Sequence, residues 1–142
     1  MRSYLLVFIQ FAAILAILLT GPLWANTGWL LAIELVGLAL VLWALIVMQL
    51  ATLHILPDVR PHAQLVQRGP YRWIRHPMYS AILLGALALV IDTFTWLRLS
   101  LWLILLVDLL IKLHYEERLL GAHYPAYRLY QQQTKRLLPL IY

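Results

Sequence analysis

The sequence predicts an all-α integral membrane protein, with about four transmembrane helices and a C-terminal interfacial helix, on three observations. Of its 142 residues 63% are hydrophobic and 12% charged, leaving more apolar side chain than a water-soluble globule of this length can hide. The apolar residues gather into four runs, of the kind that crosses a hydrocarbon core of about 30 Å with about 20 residues. With all four runs crossing, ten of the eleven Lys and Arg fall on one side and Arg98 alone on the other.

The first run, residues 4–20, reads as a retained helix. It is long for the apolar part of a signal peptide, and Leu23 sits badly in a small-residue cleavage site. The second covers 29–53 and leads into a polar loop over 54–77. The third, 78–91, is the shortest: at about 1.5 Å per residue it falls short of a crossing, so it tilts, thins the bilayer or forms a tight hairpin with the fourth. The fourth runs from 96 to beyond 111, and Asp92, Thr93 and Thr95 supply turn and N-cap chemistry before it. Over 124–138, Tyr, Leu and basic or Gln residues recur at helical spacing, as in an interfacial helix that lies flat or folds back. No repeat or flexible linker interrupts the chain, so 1–142 is one domain: a helix pair over 1–53, the loop 54–77, and a hairpin with its tail over 78–142. The bias of Lys and Arg makes the loop 54–77 and both termini cytoplasmic.

Composition also excludes chemistry. Without cysteine there is no disulfide, thiolate metal site or cysteine nucleophile. The net charge of +5 is placed as orientation charge, so no nucleic-acid partner is expected, and no spacing of His and acids resembles a metal site.

Residues 65–81, LVQRGPYRWIRHPMYSA, are the densest stretch of hydrogen-bonding groups, directly before a membrane helix. Pro77 disfavours helical backbone at His76 and suits the first turn of the third helix, which holds Arg75 and His76 extended at a helix N-terminus. Free N–H groups and the helix dipole there favour an anion such as a carboxylate. The second concentration is HYEERLL, 114–120. Glu116 and Glu117 point about 100° apart on a helix, and Glu116 continues a ladder through Lys112 to Asp108, which leaves Glu117 as the acid freer to accept hydrogen bonds. Against these stand structural readings. Arg60, Arg68 and Arg72 read as orientation charges, and Tyr115, Tyr124, Tyr127 and Tyr130, with the Trp residues, as interfacial anchors. Gly37, Gly85 and Ala86 read as helix-packing positions, while Glu34 and Asp108 are acids within the hydrocarbon.

The segments GPYRWIRHPMYSA and EERLLGAHYPAYRLYQQQTKRLLP resemble the paired signatures of the isoprenylcysteine carboxyl methyltransferase family, in its order and at its spacing across one helical hairpin. The related phospholipid methyltransferases share much of the second segment. The resemblance covers about the last 80 residues. It implies a methyltransferase that binds S-adenosylmethionine at the cytoplasmic membrane face, through Leu65, Val66, Gly69, Tyr71, His76, Pro77, Tyr79, Glu116, Glu117 and, through the tail, Tyr127. His62 stands one residue upstream of the position where the family commonly has a histidine. Arg75, His76 and Glu117 are the candidate catalytic residues. The acceptor is a lipophilic small molecule or lipid from the bilayer: a carboxylate on an isoprenylcysteine-like compound, or a lipid head group. Two other readings compete, a membrane reductase that uses NADPH on an enone or sterol-like substrate, and a non-catalytic membrane subunit of the same fold.

Overall fold

Helix ends fall where the sequence supplies their chemistry. The computed structural model describes residues 2–48, 65–139 and 142. Its helices are α1 (Arg2–Leu19), α2 (Gly28–Met48), α3 (Pro77–Asp92), α4 (Trp96–His123) and α5 (Tyr127–Gln133), with no strand among the described residues. Pro77 is the first residue of α3, and Thr95 caps α4 by accepting the Arg98 N–H at 3.2 Å. Asp92 ends α3 and caps a second helix: its carboxylate accepts from the backbone N–H groups of Asn26 and Thr27, both at 2.9 Å, just before α2.

Antiparallel packing pairs α1 with α4 and α2 with α3. Ile17, Leu83, Leu105, Leu109 and Leu113 fill the seam where α1, α3 and α4 meet. The α2–α3 crossing is close because Gly37 has no side chain; a Cβ there would stand 3.1 Å from the Ala81 carbonyl oxygen. Large apolar side chains also point outward on all four long helices, among them Phe8, Ile46, Ile91 and Val107.

Of four expectations, the first is not confirmed and the other three need correction. First, α2 alone among the described residues is both long and apolar enough to cross a membrane; α1 and α3 are apolar but shorter. Helix α4 is long enough but carries Arg98, Asp108 and Lys112 along its apolar stretch, so length and composition single out α2 and leave four crossings unconfirmed. Second, the ladder from Asp108 through Lys112 to Glu116 does not form. Lys112 is drawn across to α1, where its Nζ donates to Gln10 Oε1 at 2.9 Å, and both Asp108 oxygens are buried without a hydrogen-bond partner among the described residues. Third, the tail is not one surface helix. Helix α5 is seven residues long, and the chain after it folds back as an extended strip. Fourth, Tyr127 and Tyr130 are buried instead of anchoring at an interface. The end expected for the second helix and residues 54–64 of the loop, His62 among them, lie outside the described residues.

Candidate functional site

Gly69 opens the site with a backbone φ of 61°, and Pro70 leads into a single 3₁₀ turn, Gly69–Arg72. This turn rests on α2, where a Cβ at Gly69 would meet a Val47 methyl at 2.6 Å. Gly69→Ala is therefore expected to destabilise by about 1–3 kcal/mol, from the left-handed backbone and the clash together. An unchanged thermal midpoint in detergent would contradict this packing.

Past the turn the chain runs extended into α3, and the tail clamps it there. Ile74 and Lys135 form a parallel bridge. Arg75 N–H donates to the Lys135 carbonyl at 2.8 Å, His76 N–H to that of Arg136 at 3.0 Å, and Lys135 N–H to that of Trp73 at 3.0 Å. Side chains reinforce the pairing: the Tyr130 hydroxyl donates to the Tyr71 carbonyl, and the Ser80 hydroxyl to that of Leu137, both at 2.5 Å. Backbone groups that would otherwise be buried unpaired are thus satisfied from across the site.

Onto this strip the end of α4, past its apolar part, brings two acids. Arg75 Nε donates to Glu117 Oε1 at 2.6 Å, and Arg136 Nε to Glu117 Oε2 at 3.1 Å. The remaining reach of Arg75 goes to the carbonyls of Gln131 and Thr134, at 3.2 and 2.5 Å. His76 stands between the acids, its Nδ1 3.5 Å from Glu116 and its Nε2 3.6 Å from Glu117. Its ring stacks on Tyr79 at 5.3 Å, and the Tyr79 hydroxyl donates to Glu116 at 2.5 Å. Beneath the stack lies Lys112, 5.4 Å from the Tyr79 ring centre.

Burial and charge oppose each other at both central groups. Burial pushes the Glu117 carboxyl up, but hydrogen bonds from His76 and Arg75, with their charges, hold it at about 2, below its ordinary 4.5. For His76, burial pushes the ring down, while bonds to and the charges of Glu116 and Glu117 outweigh it and raise the pKa above 6.5. Stability from Glu117 is then present above 4.5 and lost as pH falls towards about 2. That from His76 is full below 6.5 and lost as pH rises through its raised value. Thermal midpoints are expected to be highest between those two ordinary values and to decline on both sides. His76→Ala should flatten the alkaline limb, and a midpoint climbing along that limb would contradict the sign.

Of the residues singled out by sequence, Arg75, His76, Tyr79, Glu116 and Glu117 meet in one cluster. Tyr127 is buried beside them, where burial and then the charge of Glu117 push its phenol up, keeping it a donor. Pro77 is buried at the start of α3, and Gly69 and Tyr71 face α2, with the Tyr71 hydroxyl 3.9 Å from Met48 Sδ. Leu65 and Val66 precede the turn, half-buried and without regular structure. The acid expected to be freer, Glu117, is the more engaged one, bound by two arginines, while Glu116 binds none among the described residues. Sequence reasoning missed Arg136, Thr134 and Tyr130, which lock the cluster from the tail, and Gln10, which holds Lys112 from α1. Only Arg136 left a signal, as one more basic residue in a basic tail.

Residues 28–127 match the model of the phospholipid methyltransferase family, well over half of the chain. The chain belongs to the phospholipid methyltransferase family. Sequence resemblance pointed first to the isoprenylcysteine enzymes and then to these relatives, and the match falls on the relatives. No curated protein and no solved structure matches the chain. Membership in the phospholipid methyltransferase family implies a methyltransferase. The matched region includes the five clustered residues and Tyr127, and it leaves out α1 and the locking residues Tyr130, Thr134 and Arg136.

Proposed function

We propose that this protein transfers the methyl group of S-adenosylmethionine to a lipophilic acceptor drawn from the bilayer, at the cytoplasmic face of a bundle of four membrane helices. One observation carries the reading: Arg75, His76 and Tyr79 are locked against Glu116 and Glu117, some forty residues later, at the end of the bundle where basic residues collect. The bilayer is supported by the family and by the apolar side chains that all four long helices turn outward. Arg98 alone among the described Lys and Arg sits towards the other end, which favours the cytoplasm for the cluster.

The residues present fit the methyl donor. The Tyr127 hydroxyl is buried there without a hydrogen-bond partner among the described residues, as a group awaiting a polar ligand would be. With Glu117 held by arginines, Glu116 is the acid that would take the ammonium or ribose hydroxyls of S-adenosylmethionine, and the positive charge of the Arg75–His76 strip suits its carboxylate. When bound, that group supplies an electrophilic methyl on sulfur. The protein's share is to hold two reactants in line and dry, which a buried, interlocked set of side chains does well. A carboxylate acceptor is already a nucleophile and an amine becomes one on losing a proton. The family's description favours a lipid head group over an isoprenylcysteine-like carboxylate.

Incubating the purified protein with methyl-labelled S-adenosylmethionine and a membrane lipid extract is expected to give a labelled, organic-soluble product. Label that stays in the aqueous phase at saturating donor would refute the reading.

A further inference from the structure

A second site, about 260 Å³ in volume, opens between α1, α2 and α3 and runs from Trp24, at the far end of the bundle, along α3 to Ala81. Its walls are apolar, among them Leu18, Leu38 and Leu89, and Glu34 is the one ionisable residue on them. Trp24, more than half exposed, stands at the same cleft. The space exists because Gly85 leaves it open; a Cβ at that position would meet nothing within 4 Å. Glu34 is half-buried, accepts the Ala25 N–H at 3.0 Å, and makes no ion pair among the described residues. A carboxylate so placed at membrane depth calls for a cationic partner, and a neighbouring indole face favours an ammonium. An apolar cleft ending in a carboxylate and an indole thus has the chemistry of one ligand, a hydrocarbon chain with an ammonium head.

We propose that this cleft holds a membrane lipid by its chain and by an ammonium head group set between Glu34 and Trp24, a reading that rests on the bundle lying in a bilayer. The bound lipid is not the methyl acceptor. Ala88, which packs with Ala25 beside Glu34, is separated from Tyr79 by nine residues of α3, about 14 Å along the helix. A head group at Glu34 is therefore out of reach of the cluster.

The test is native mass spectrometry of the detergent-purified, full-length protein with equal amounts of phosphatidylethanolamine and phosphatidylglycerol of identical chains, without methyl donor. The wild type is expected to retain the ammonium lipid about five- to tenfold over the other, the scale of one ion pair with a cation–π contact. Glu34→Gln should bring the ratio to about one, since only the charge is removed. Gly85→Leu should cut retention of both lipids, because its side chain enters open space and fills the cleft. Absence of a preference in the wild type, a preference surviving Glu34→Gln, or full retention by Gly85→Leu would each overturn the site. Helical circular dichroism of both variants verifies folding. Methyl transfer reports on the cluster at the other end, so its failure would count against the proposed function and leave the lipid result readable.

Discussion

Replacing Glu117 with alanine is expected to destabilise the protein by about 3–5 kcal/mol and to abolish methyl transfer. The size follows from what the carboxylate leaves behind. Arg75 is only 7% exposed, and its guanidinium has Glu117 as its sole acidic partner among the described residues. Removing the acid strands that charge in a buried setting, beside a second guanidinium from Arg136 and the His76 ring. Water cannot easily rescue it, because the carbonyls of Gln131 and Thr134 already close over the group. Denaturant unfolding in detergent reads the loss. A change below about 1 kcal/mol would mean the pair behaves as a solvated surface bridge. Glu117→Gln should fall between, keeping one acceptor for Arg75 and losing the charge.

Glu116→Gln should separate binding from folding. Glu116 touches no arginine among the described residues, and an amide keeps an acceptor for the Tyr79 hydroxyl, so the stability cost should stay near 1 kcal/mol. Affinity for the methyl donor should drop about 10- to 100-fold, the worth of a charge-assisted hydrogen bond to an ammonium. Calorimetric titration with S-adenosylmethionine measures it. Unchanged affinity in a folded variant would remove Glu116 from the donor site and send the assignment back to Glu117.

How much of this was legible beforehand depends on how local each cause is. Pro77 and Thr95 set the starts of α3 and α4 through their own backbone chemistry, and both starts were read to within one residue. The meeting of the His76 and Glu117 segments was also readable, since an intervening hairpin returns the chain to the same end. Long-range pairing was not. Lys112 had Asp108 and Glu116 one turn away, yet its partner is Gln10, a hundred residues distant on α1. That capture undid the ladder from which Glu117 appeared the freer acid. The tail was misread for a related reason: Lys135 and Arg136 pair through backbone groups with Trp73, Arg75 and His76, and backbone pairing leaves no side-chain period in so short a segment.

Irradiating the protein with radiolabelled S-adenosylmethionine and mapping the labelled peptides tests the central claim most directly, because it asks where the donor lies. Label is predicted in peptides from 65–81 and 114–128, to be competed away by unlabelled demethylated product. Label confined to α1 or to the Trp24–Glu34 end, or unaffected by competitor, would contradict the account.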